Sequence, residues 1–173
     1  MRRLVALVGA LALAVTVALG LGSASAQEPI KQIKLTEKQV LGFIASQKEM
    51  MAIQVKLQAS PADKPDPKIL AEFEAASKKH GFASFAEFQD VTANISIIMA
   101  GFDPATGKFT DPLEMIKAEI AGITADKNIP DKERKQMLDE LNEALKITEP
   151  LKFPENIEIV KKFREKIEAS MQQ

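Results

Sequence analysis

The sequence predicts an all-α protein, a single-domain bundle of about six antiparallel helices that follows a cleaved signal peptide. Apolar residues recur at intervals of three and four along most of the chain, which is the spacing of helices buried on one side. The first four such stretches open at a residue that caps helices, and the first five end at a glycine, a proline or a turn. No stretch alternates apolar and polar residues between hairpin turns, so we expect no sheet.

The first 26 residues have the pattern of a secretory signal peptide. An arginine pair at positions 2 and 3 precedes an uncharged, mostly apolar stretch over residues 4–22. Small side chains at alternating positions then predict a signal-peptidase site formed by Ala24, Ala26 and Gln27. We therefore expect a periplasmic protein that is exported by the general secretory route and has no membrane anchor after cleavage.

Composition limits what the remaining 147 residues, 27–173, can do. This length suits one domain, which we divide into a loose lead-in over residues 27–35 and a helical domain over residues 36–173. Without the arginine pair the chain carries 21 basic and 24 acidic residues, a net charge of −3 that favours neither nucleic acid nor anionic lipid as a partner. The absence of cysteine excludes thiol catalysis, disulfides and cysteine metal sites.

The first helix is predicted from residue 36 to about residue 58. Thr36 and Gln39 are spaced as a capping box, and Leu35 and Val40 as the hydrophobic staple that accompanies it. Its apolar face is expected to hold Val40, Ile44, Met51 and Val55, with Phe43, Met50 and Leu57 beside it.

The sequence KKHGFASFAEF, which contains the only histidine, predicts a tight corner between the second and third helices. The second helix opens at Asp66, with a proline as its first helical residue, and ends at Gly81 in the left-handed conformation. Ser84 and Glu87 are spaced as the capping box of the third helix. His80 then has a structural role at a helix end, where a basic side chain suits the helix dipole.

Three more helices complete the predicted bundle. A turn-rich loop, with Phe102 and Phe109 packed beneath it, leads to a fourth helix that opens at Asp111. A break over residues 126–130 precedes the fifth helix, which stops before Pro150. The sixth helix has an apolar stripe of Ile157, Val160, Phe163, Ile167 and Met171.

The residue patterns of common catalytic and metal sites are missing. The loop GFDPATGKFT has five residues between its glycines and a phenylalanine where a P-loop has its magnesium-binding hydroxyl, so phosphate binding is not predicted. Ser77 and Ser84 lie near His80, but no oxyanion motif accompanies them. With one histidine and methionines scattered over five helices, we expect no metal site and no cofactor.

Three stretches behind the signal peptide, LTEKQVLGFIASQKEM, KKHGFASFAEFQDV and ERKQMLDELNEAL, resemble a group of small exported all-helical proteins of Gram-negative bacteria. The resemblance spans most of the chain after residue 26. It implies a periplasmic, all-α protein, and it implies no activity because that group has none assigned.

We expect a non-enzymatic protein that binds a protein partner or an apolar ligand. The candidates for binding are the histidine and several flexible or aromatic side chains: His80, Phe102, Phe109, Met50 and Met51. One open alternative is a carboxylate-based enzyme with a pocket near His80, formed by Glu72, Glu74, Glu87 or Asp90. The other is a small envelope-stress protein that acts without a ligand. The oligomeric state stays open.

Overall fold

A computed structural model describes residues 30–60 and 66–172. It confirms the all-α prediction, with six helices and no strand in that part of the chain: α1 (Glu37–Gln58), α2 (Pro67–Lys79), α3 (Phe85–Ala100), α4 (Pro112–Ala125), α5 (Asp131–Ile147) and α6 (Asn156–Met171). The predicted signal peptide and its cleavage site at Ala24, Ala26 and Gln27 lie outside the described residues. None of the helices described combines the length and the apolar content that a membrane span needs.

The predicted capping residues mark the starts of four helices. At α1 the capping box is complete, because Thr36 Oγ1 accepts the Gln39 N–H at 3.2 Å and Gln39 Oε1 accepts the Thr36 N–H at 3.0 Å. The two Asp-Pro starts cap α2 and α4 as predicted. At α3 the box is half formed: Ser84 Oγ accepts the Glu87 N–H, but the Glu87 carboxylate binds the Ala83 N–H at 2.6 Å.

The main core lies between α1, α2, α3 and α6, and α1 packs against each of the other three. Phenylalanine rings from α1, α2, α3 and the corner between α2 and α3 stack on one another in its middle. Each fully buried large apolar side chain contributes about 1.5–3 kcal/mol to folding. The most completely buried of them are Leu35, Val40, Phe43, Val91, Ile95, Ile98, Val160 and Ile167.

The buried face of α1 differs from the predicted one. The residues that α1 buries are Val40, Phe43, Ser46, Met50 and Ile53. Met51 and Val55, which the periodicity placed on the apolar face, are exposed, and Ile44 is half-buried. The helix carries two apolar stripes on opposite sides, and spacing alone does not indicate which of them faces the core.

The lead-in before α1 is bound to the bundle in the part that the structure describes. Asn94 of α3 accepts the Ile33 N–H at 3.0 Å and donates to the Lys31 carbonyl at 2.9 Å. Asn156 of α6 accepts the Leu35 N–H at 2.8 Å and donates to the Ile33 carbonyl at 2.8 Å. The two buried amides therefore pair with alternate residues along one edge of the extended lead-in, as a neighbouring strand would.

Helices α4 and α5 pack chiefly against each other, and we call them the α4–α5 arm. Only Ile116 and Ile123 of the arm are buried, and neither belongs to the main core cluster. The apolar stripe of α5, formed by Met137, Leu138, Leu141 and Leu145, is only partly buried.

Candidate functional site

The corner after α2 has the conformation that the sequence predicts. Gly81 has a φ of +91°, in the left-handed region that favours glycine. Its N–H donates to the Lys78 carbonyl at 3.1 Å, and the Phe82 N–H donates to the Ser77 carbonyl at 3.0 Å. This pair of bonds is the Schellman motif that ends helices, and it carries the chain from α2 to α3.

The imidazole of His80 holds the end of α2 against α1. Its side chain is 15% exposed, and Nε2 lies 2.9 Å from Oε2 of Glu49. The ammonium group of Lys79 lies 2.8 Å from the same oxygen. Hydrogen bonds from Lys79, and after it from His80, hold the pKa of Glu49 below its ordinary value. The contact that the structure assigns to His80 is therefore an interhelical one.

The four carboxylates proposed near His80 have separate partners. Glu72 pairs with Lys56, Glu74 with the Phe85 N–H, Glu87 with the Ala83 N–H and Asp90 with Lys31. Those backbone N–H groups are the main reason why the pKa values of Glu74 and Glu87 lie below their ordinary values. A general acid that works near neutral pH needs the opposite shift. These side chains thus do not converge on the imidazole.

The described residues form two concavities that are open to solvent. The first, about 290 Å³, lies between α1 and α2, where ion pairs join Lys56 to Glu72 and Lys79 to Glu49. The second, about 610 Å³, lies between residues 104–107 and a highly charged side of α6. Sites for apolar ligands are mostly enclosed, and neither concavity is enclosed.

Phe102 and Phe109 stabilise the loop between α3 and α4. Their rings pack edge to face with centroids 5.2 Å apart, and the guanidinium of Arg164 lies 5.3 Å from the centroid of Phe102. The carboxylate of Asp103 accepts the backbone N–H and the hydroxyl of Thr106 inside the loop. The loop N–H groups that a phosphate would need are thus used within the loop.

Met50 and Met51 differ in burial although they are neighbours in α1. Met50 is 6% exposed and belongs to the core, whereas Met51 is 48% exposed. Met51 belongs to a stripe that we call the outer face of α1, formed by Leu41, Ile44, Lys48, Met51 and Val55. Leu41, Met51 and Val55 are among the most exposed large apolar side chains of the described residues, with Leu41 at 45% and Val55 at 59%.

The outer face has the residue spacing of a coiled-coil seam. Its members follow one another at intervals of three, four, three and four residues, which is the repeat of a coiled-coil seam. On its borders lie the small, exposed side chains of Ala45 and Ala52, which allow a close approach. The sequence interpretation selected Met51 but missed Leu41 and Lys48. The same spacing, read as a second stripe, is the signal that would have identified them.

Comparison of the chain with protein-family models, with curated proteins and with solved structures found no match. Among the described residues, no group of three or more metal-binding side chains is close enough to hold an ion.

Proposed function

We propose that this chain is a non-enzymatic periplasmic protein that binds a protein partner through the outer face of α1. The observation that carries the proposal is the exposure of Leu41, Met51 and Val55 on a helix whose opposite face is in the core. Exposed single apolar residues are normal on proteins, but a group of them at coiled-coil spacing on one helix is typical of a docking surface.

The apolar members of the outer face can contribute a large share of a binding energy. Full burial of a leucine, methionine or valine contributes about 1.5–3 kcal/mol, and these three side chains have about half of their surface left to bury. Together they can supply about 2–4 kcal/mol, which is the scale of the central contacts in a protein interface. Polar contacts around the stripe have to supply the rest.

The surface geometry favours a protein partner over the other hypotheses. The open, charge-lined concavities give little support to an apolar small ligand. An enzyme would need at least two convergent carboxylates near His80, and Glu49 is the only carboxylate hydrogen-bonded to that imidazole among the described residues. A stress protein without a ligand stays the alternative, and it predicts that the outer face has no specific occupant.

Site-specific photo-crosslinking in the periplasm tests the proposal. A photoreactive p-benzoylphenylalanine at Met51 is expected to give a discrete crosslinked product, and Leu41→Asp with Val55→Asp is expected to abolish it. The control is the same photoreactive group at Ile147, an exposed apolar residue of α5. No product from position 51, or the same product from both positions, would refute the outer face as the binding surface.

Export is tested separately by fractionation and N-terminal sequencing of the purified protein. We expect the protein in the periplasmic fraction, beginning at Gln27. Ala24→Asp and Ala26→Asp are expected to accumulate the uncleaved chain, because signal peptidase needs small residues at those positions. A cytoplasmic chain that retains residues 1–26 would refute this part of the proposal.

A further inference from the structure

The outer face of α1 has a charge in its middle. Lys48 is the central member of the stripe, seven residues after Leu41 and seven before Val55, and its side chain is exposed. The adjacent carboxylate, Glu49, is oriented toward α2, where Lys79 and His80 bind it. In the part of the chain that the structure describes, no ion pair joins a carboxylate to Lys48, so the apolar stripe presents this positive charge to whatever covers it.

This central position makes the outer face a poor surface for a second copy of the chain. In an antiparallel pair, Leu41 faces Val55 of the other copy and Lys48 faces Lys48. In a parallel pair in register, Lys48 again faces Lys48. Like charges directly opposite each other in an apolar seam oppose association, and registers that avoid the clash leave much of the stripe uncovered.

We propose that the occupant of the outer face is an amphipathic helix of another protein, with apolar residues at heptad spacing and an aspartate or glutamate facing Lys48. This inference rests on the proposed partner binding, and it adds the chemistry of the partner. A carboxylate at that position satisfies the lysine charge within the interface, while the same lysine disfavours self-association. One residue thus selects a different chain over a second copy.

Sedimentation equilibrium tests the self-association half of the inference. The native protein is expected to show no association through this face, and Lys48→Leu is expected to produce a dimer whose Kd is at least about tenfold lower. Adding Val55→Asp is expected to restore the monomer. Lys132→Leu, an equivalent change at an exposed position of α5, is the control for nonspecific stickiness. A native dimer that Val55→Asp dissociates, or a Lys48→Leu variant as monomeric as the native protein, would overturn the inference.

Fluorescence anisotropy with two synthetic peptides tests the partner half. Both peptides are amphipathic helices with the same heptad leucines, and they differ only in a glutamate or a lysine at the central seam position. The glutamate peptide is expected to bind at least about tenfold more tightly than the lysine peptide, and Lys48→Glu is expected to reverse the preference. Equal binding, no binding of either peptide, or a preference that Lys48→Glu leaves unchanged counts against the inference.

The two proposals can fail separately. One mixed outcome is a peptide preference that follows residue 48 while position 51 gives no crosslinked product in cells. That result would refute the proposed cellular partner and keep the charge selectivity of the outer face. A crosslinked product without that preference would keep the partner and refute its acidic chemistry.

Discussion

Two glycines inside helices are expected to respond in opposite directions to the same substitution. Alanine in place of a mid-helix glycine normally raises stability by about 0.5–1 kcal/mol, because glycine loses more freedom on folding. At Gly42 of α1, a Cβ would lie 2.6 Å from the carbonyl oxygen of His80 and 3.2 Å from the ring of Phe82. At Gly122 of α4, no heavy atom lies within 4 Å of that position.

The clash at Gly42 is with backbone, so rotation of a side chain does not relieve it. Overpacking of this kind costs about 1–3 kcal/mol, and it opposes the gain in helix propensity. Gly42→Ala is therefore expected to lower the free energy of unfolding by about 1–2 kcal/mol. Gly122→Ala is expected to raise the local stability of α4 by about 0.5–1 kcal/mol, because its side chain meets open space.

Urea unfolding followed by far-UV circular dichroism measures the first change, since the chain has no tryptophan or tyrosine to report by fluorescence. Hydrogen exchange of the α4 amides measures the second, even if the arm opens before the core. Stabilisation by Gly42→Ala would refute the close seating of the corner on α1. Destabilisation by Gly122→Ala would refute the open space beside that glycine.

Four further results are expected. Gly81→Ala should lower the free energy of unfolding by about 1 kcal/mol or more, because its φ of +91° strains any other residue. His80→Ala should cost less. Urea unfolding ranks the two variants, and the reverse order would contradict the predicted conformation of the corner. Asn156→Ala should lower the free energy of unfolding by about 2–4 kcal/mol, because two backbone groups of the lead-in lose their partner. Gln32→Ala should lower it by less than about 1 kcal/mol, because the Gln32 side chain hydrogen-bonds only exposed backbone groups. The lowered folded-state pKa of Glu49 means that its ion pairs add stability above the unfolded-state pKa and lose it as the pH falls through the folded one. The difference in stability between the native protein and Glu49→Gln should therefore shrink between about pH 6 and about pH 3; an unchanged difference would contradict these contacts. Finally, the amides of the α4–α5 arm should exchange with solvent before those of α1 and α3, and uniform protection would contradict the separation of arm and core.

The ends of the helices were predictable because the interactions that fix them are local. A capping side chain binds an N–H two or three residues away, so Thr36, Asp66 and Asp111 can be recognised without knowledge of the fold. The left-handed glycine of the α2 corner is recognised in the same way. Where no capping side chain binds the first turn, at α5 and α6, the prediction depended on prolines and apolar spacing alone.

The tertiary contacts were not predictable from such local patterns. Asn94 and Asn156 look like ordinary polar positions within helices, and only the path of the lead-in makes them buried partners of its backbone. The stripe of α5 looks like a core stripe, but its helix packs chiefly against α4. In each case the missing information was which element lies beside the residue, and hydrophobic spacing does not contain it.

The candidate site followed the same rule. Met50 and Met51 were both selected as flexible apolar side chains, but Met50 fills the core and only Met51 is exposed. The two residues differ by about 100° around the helix axis, which is enough to place one inside and the other outside. The exposed stripe became visible only when the structure showed that the opposite stripe was already buried.

The position of α1 links the proposed binding to the integrity of the fold. Helix α1, like α3, packs against all three other core helices, and its first turn follows directly on the lead-in held by α3 and α6. A helix bound to the outer face would cover a side of α1 that the described residues leave open. Because such a partner binds the folded state only, it would stabilise the bundle by about 2.7 kcal/mol when its free concentration is about 100 times the Kd. The orientation of the stripe depends on the same contacts that hold α1 in the core, so a surface of this kind exists only on the correctly folded protein.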